Sequence, residues 1–197
     1  MGRMGAGSGV YNGDADLRDF RSHLVTGILG PLLCEPDVEV AKGFYRRAEA
    51  DGIGGGRVTE LVARPLLNLH FPPLAGFSQP LAGEVAVRRD LFSQLAVPVG
   101  YGVEIAMLIE VWGRVGIRGM AQVELGTKRN AHQSLAALSG MSSEVIAAMA
   151  DTLDRLGRKD TGRMKMVEGS GPEVVTRPAF ATVPQVSHRS GRKPAAP

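Results

Sequence analysis

The chain has 197 residues, 44% of them hydrophobic and 22% charged, which is enough for one domain with its own core and excludes wholesale disorder. The net charge of +3 is placed partly in a Gly/Ser/Pro-rich tail with Arg189, Arg192 and Lys193, and aromatic residues make up only 5%, so the stacking platform of a single-strand nucleic-acid binder is missing. A lone cysteine, Cys34, leaves no internal disulfide framework; with no apolar run of membrane-spanning length and no hydrophobic signal block, the expectation is a soluble, cytoplasmic protein.

The opening residues, 1–13, are rich in glycine and hold little that could start a core, so an irregular N-terminus is expected. Asp14-Ala15-Asp16-Leu17 follows. Two carboxylates one residue apart can share a divalent cation and the diphosphate it binds, because hard cations take oxygen ligands and keep positions open for phosphate. The same pattern also arises in ordinary Asx-turns and helix caps.

Leu24, Val25, Ile28, Leu29, Leu32 and Leu33 recur at helical spacing, and Pro36 ends the pattern. From Val38 to Tyr45 the chain alternates like a half-buried strand. Gly52-Ile53-Gly54-Gly55-Gly56 then precedes Arg57-Val58-Thr59-Glu60-Leu61 and an apolar helix-like run through Leu69. Glycines before a helix N-terminus leave backbone N–H groups free to face an anion, with Arg57 and Thr59 as further donors. A flexible linker capped by Thr59 fits this segment equally well.

After a loop with Pro72, Pro73 and Pro80, a short helix is expected around Arg88 to Leu95. Gly100-Tyr101-Gly102-Val103-Glu104 opens another, with Ile105, Leu108, Ile109 and Trp112 on one face. Glu104 falls in its first turn, where the helix dipole favours a carboxylate. Met120 to Leu125 reads as a strand and Gly126 to Gln133 as a polar loop with Lys128, Arg129, Asn130 and His132. A long amphipathic helix carries Leu135, Leu138, Met141, Val145, Ile146, Met149, Leu153 and Leu156; beyond it, 158–197 is polar and rich in Pro and Gly, and an extended or disordered tail is expected.

Taken in order, these segments resemble the glucosyl-3-phosphoglycerate synthases of actinobacteria, retaining glycosyltransferases of the GT-A fold. The resemblance rests on Asp14 to Leu17, Gly27-Ile28-Leu29-Gly30-Pro31-Leu32-Leu33, Phe44-Tyr45-Arg46-Arg47, the run from Gly54 through Leu67, Gln79-Pro80-Leu81-Ala82-Gly83-Glu84, Pro98 through Ile105, and Ala121 through Gly126. It implies an α/β fold: the C-terminal part of a Rossmann-like GT-A domain over 14–157, with a helical C-terminal extension. It further implies UDP-glucose as donor, 3-phospho-D-glycerate as acceptor, Mg2+ or Mn2+ as cofactor, and a homodimer.

Residue by residue, the resemblance makes Asp16 a metal ligand and puts Asp14 beside the nucleotide. Gly56, Arg57 and Thr59 match the acceptor-phosphate cradle, Leu81 the position whose backbone faces the reacting sugar, and Tyr101 and Glu104 residues that hold the glucose. The family loop runs Gly-x-Arg-x-His-x-Asn, whereas this chain has Gly126-Thr127-Lys128-Arg129-Asn130-Ala131-His132. An ungapped match puts Asn130 at the metal histidine; a two-residue shift returns His132 to the ion and leaves Asn130 to the acceptor. The shift is favoured because imidazole is a far better metal ligand than an amide. Lys128 replaces a donor-contacting arginine, keeping charge but losing the bidentate fork.

A complete nucleotide-binding βαβ region precedes the Asp-x-Asp motif in the family, while residues 1–13 stand there in this chain, so a truncated enzyme is expected. The alternatives are a related glycosyltransferase with another donor or acceptor, and an inactive remnant acting as a binding or oligomerisation module.

Overall fold

The computed structural model describes residues 9–12, 22–46, 56–96, 98–127 and 133–158. Its centre is a four-stranded sheet of β1 (Gly9–Asn12), β2 (Val40–Arg46), β3 (Val85–Arg88) and β4 (Met120–Thr127), in the order β1-β3-β2-β4. β3 runs antiparallel to both neighbours and β2 runs parallel to β4.

Two elements depart from the sequence expectation. Gly9–Asn12, within the stretch expected to be irregular, is a strand paired along its length with Arg88 to Val85. The stretch expected as a short helix begins as strand β3, and only Arg89–Phe92 is helical (α3).

Both faces of the sheet are covered, which explains the apolar run along its inner strands. On one face Ala41, Tyr45 and Ala86 pack with Leu24, Ile28 and Leu32 of α1 (Ser22–Cys34). On the other, Val40, Val85 and Val87 meet Met107 and Val111 of α4 (Val103–Val115). Pro31 lies in the last turn of α1, and the carbonyl of Leu32 is taken up from outside by the Arg88 guanidinium at 2.9 Å.

A third layer lies beyond α4. Ile105, Leu108 and Ile109 join Val58, Leu67, Phe71, Leu74, Val145 and Met149 in the largest core cluster, with Trp112 at its edge. Here α4 meets α2 (Arg64–His70) and α5 (Leu135–Arg155). The chain enters α2 through a wide π-helical turn, Thr59–Ala63, closed by the Arg64 N–H on the Thr59 carbonyl. Pro65 accounts for that turn: it has no N–H to offer the Leu61 carbonyl, and a widened turn makes room for its ring. No helix among the described residues is long and apolar enough to cross a membrane.

Candidate functional site

The helical run that leads into α2 begins at Arg57, with the Glu60 N–H on the Gly56 carbonyl at 3.0 Å. The amides of its first turn have no partner within the helix, as at any helix start. Thr59 does not cap it: the helix starts two residues earlier and Thr59 is buried within the first turn. Arg57 is exposed, and its Nη2 donates to the Gln133 carbonyl at 2.8 Å. That contact ties the start of the helical run to the residue ahead of α5, where Ser134 caps the helix by accepting the Ala137 N–H at 3.2 Å. Two helix N-termini, both favourable to negative charge, are thus linked through one guanidinium.

Leu81 lies in an irregular segment between α2 and β3, half-buried against the largest core cluster. The segment is held by side chains instead of a ladder. Gln79 doubles as a strand peptide: its Nε2 donates to the Tyr45 carbonyl at 2.7 Å and its Oε1 accepts the Tyr45 N–H at 3.3 Å. Lys42 Nζ reaches the Ala82 carbonyl at 2.6 Å, and the Tyr45 hydroxyl donates to Glu84 Oε1 at 3.1 Å. None of Lys42, Tyr45, Gln79 or Glu84 carries a site role in the sequence reading, although Gln79 and Glu84 flank Leu81 in its motif; the strand alternation around Lys42 gives no sign that it is only 2% exposed.

Tyr101 and Glu104 frame the start of α4. Gly100 has φ of 86°, a left-handed turn natural to glycine. The following Tyr101 N–H is accepted by the Glu144 carboxylate of α5 at 2.8 Å. Tyr101 is half exposed and Glu104 lies half-buried in the first helical turn. The α5 region therefore reaches two candidate segments: Gln133, just ahead of its cap, accepts from Arg57, and Glu144 in its middle fixes the turn ahead of Glu104.

Three candidate segments border one core cluster, since Val58 follows Arg57, Leu81 packs on the cluster directly and Ile105 follows Glu104. The remaining candidates, Asp14, Asp16, Lys128, Asn130 and His132, lie outside the described residues, as does any contact between Asp16 and His132. Among the described residues no group of three or more His, Cys, Asp or Glu could hold a metal ion. The expected ligands are a carboxylate and an imidazole, donors that suit a small divalent ion.

One histidine is perturbed away from this region. The pKa of His70 is lowered from its ordinary 6.5, first by burial and then by the Arg158 charge; its Nδ1 is buried without a hydrogen-bond partner among the described residues.

No family model matches the chain. It is 45% identical over 154 residues to the glucosyl-3-phosphoglycerate synthase of Mycolicibacterium smegmatis, a match covering 76% of this chain and 50% of that protein. Among solved structures, mannosyl-3-phosphoglycerate synthase from Rubrobacter xylanophilus superposes with a TM-score of 0.71 at 49% identity, over 77% of this chain and 48% of its own. Glucosyl-3-phosphoglycerate synthase from Mycobacterium tuberculosis, in complex with Mn2+, UDP-glucose and phosphoglyceric acid, superposes with a TM-score of 0.67 at 42% identity, over 78% of this chain and 51% of its own. The chain spans about half the length of these relatives, and its layered α/β architecture agrees with the GT-A expectation.

Proposed function

Proceeding from the chain's kinship with the glucosyl-3-phosphoglycerate synthases over about half their length, we propose that it forms the acceptor side of a hexosyltransferase that moves glucose from UDP-glucose to 3-phospho-D-glycerate. The observation that carries this reading is the placement of Arg57: at a helix N-terminus, exposed, and tied to the start of α5. A phosphate at this point meets backbone donors, a favourable dipole and a guanidinium whose planar fork matches its oxygens. Gly56, Arg57, Thr59 and Asn130 form the acceptor end; Asp14, Tyr101, Glu104 and Lys128 bind the donor.

Leu81 and Glu104 flank the reacting sugar, with Glu104 in the favourable first turn of α4. Transfer proceeds with retention, the acceptor hydroxyl attacking from the face that the leaving diphosphate vacates. Asp16 and His132 would hold a divalent ion, Mg2+ or Mn2+, which when bound would neutralise charge on that diphosphate. The protein acts in the cytoplasm, as a homodimer.

A second reading concerns the sugar alone. A mannosyl-3-phosphoglycerate synthase is as similar to this chain in sequence and fold as the glucosyl enzymes are, so mannose is the competing hexose. The test is transfer to 3-phosphoglycerate in the presence of Mn2+, with UDP-glucose and a nucleoside-diphosphate mannose compared, the product identified by mass and its anomeric configuration by NMR. Supplied with the nucleotide-binding region that the family carries, the chain is expected to give glucosyl product of retained configuration, and alone to give little or none. Mannosyl product alone selects the second reading, and an inverted product rejects the front-face route.

A further inference from the structure

The segment 75–84 has no regular secondary structure beyond isolated turns, yet it is pinned along its whole length. Arg64 donates to the carbonyls of Ala75, Phe77 and Ser78, and Gln122 of β4 accepts the Ser78 N–H at 2.7 Å. Gln79, Lys42 and Tyr45 then fasten it to β2. Lys42 is 2% exposed and Glu84 1%, although lysine and glutamate are seldom fully buried, because removing such groups from water is costly. A hydrophobic pair would fill the same space without that penalty. Its use here points to a need to fix backbone atoms in place.

The atoms fixed are those next to Leu81. Lys42 stands opposite Val85 and Gln122 on an inner strand of the sheet, and from there it holds the Ala82 carbonyl at 2.6 Å. Two residues on, the Tyr45 hydroxyl holds Glu84, whose carbonyl accepts the Gly43 N–H at 2.8 Å. Gly43 leaves no choice in that approach: a side chain there would collide with Leu125 and come within 3.1 Å of Glu84 Cβ. We propose that Lys42 and Tyr45 are positioning residues for sugar transfer, Lys42 holding the Ala82 carbonyl and Tyr45 the Glu84 carboxylate from the sheet, so that Leu81 meets the donor sugar in a fixed place. This rests on the reading of function above, since it takes Leu81 to face the reacting sugar.

The test compares Lys42→Met, which keeps the aliphatic stem, and Tyr45→Phe, which removes only a hydroxyl, with the unaltered chain. For transfer from UDP-glucose, read with the donor side supplied, turnover is expected to fall about 10- to 100-fold for Lys42→Met, the scale of a misplaced reacting group, with KM for 3-phosphoglycerate unchanged. Tyr45→Phe should show the same signature more weakly. A loss confined to KM, or unaltered turnover in Lys42→Met, overturns the proposal; should Lys42→Met not fold, unaltered turnover in Tyr45→Phe does so. Hydrogen exchange at the Ala82 and Gly43 amides, which bond to Gln79 and Glu84, provides a reading without catalysis. About tenfold faster exchange there, with core amides of α4 unchanged, is expected for local loosening of the segment, and unchanged exchange overturns the clamp. If the unaltered chain, with the donor side supplied, transfers no sugar at all, the assignment of function fails, while exchange alone still decides whether Lys42 and Tyr45 hold the segment.

Discussion

Arg64 commits its guanidinium in every direction at once. It pairs with Glu60 through Nε at 2.7 Å and Nη2 at 2.9 Å, and it donates to three carbonyls of the following loop. Replacement by methionine leaves those carbonyls without their donor and is expected to cost about 3 kcal/mol, the scale for a few lost bonds to a charged group. Arg64→Lys should recover little, because one ammonium cannot reproduce the fork; urea unfolding of both variants measures this. His70 makes a second prediction at this scale. Its folded pKa lies below the ordinary 6.5, so the unfolded chain binds the proton more readily and stability falls as pH drops from 6.5 towards the folded value. Urea midpoints across that window should decline with acid, and His70→Gln should flatten the decline. Arg57 and Leu81 were legible as motif residues in the sequence. Lys42 and Glu144 were not, since each acts on the backbone of a segment distant in sequence.

Among the elements, the long helices were the easiest to read. α4 buries Ile105, Leu108 and Ile109 as their spacing requires, and Val145 and Met149 do the same on α5; the margins of that stripe, Leu135 and Ile146, are exposed instead. Short strands were harder. β3 passes into α3 without a turn signal between Arg88 and Arg89, and β1 owes its strand form to the edge of β3, which no local pattern announces. The contact between α5 and the turn before α4 is the element-scale feature most open to test. At Gly102 a side chain would collide with Ala148 and come within 3.0 Å of the Glu144 carbonyl. Gly102→Ala should therefore push the two helices apart and destabilise the fold by about 1 to 3 kcal/mol, the usual cost of overpacking. Thermal or urea unfolding of the variant reads this out, and an unchanged midpoint would show that α5 does not press on this turn.

At the scale of the molecule, the sheet with α1 on one face and α4 on the other is a platform, and the third layer of α2 and α5 brings the candidate segments to one core cluster. The proposed acceptor end rests on the best-described part of the molecule, because Gly56, Arg57 and the start of α5 are all among the described residues and one bond joins Arg57 to Gln133. The metal ligands were legible only as motifs, since Asp16 and His132 lie outside the described residues, as do Asp14 and Lys128 on the donor side, where only Tyr101 and Glu104 are described. The decisive measurement is calorimetric titration of 3-phosphoglycerate into the intact chain and into Arg57→Ala, with both shown to be folded. Saturable binding by the intact chain, weakened by about 1.5 to 3 kcal/mol in the variant as for lost hydrogen bonds to a charged group, is the predicted result. Equal affinity in the two, or no binding by either, would contradict the acceptor site.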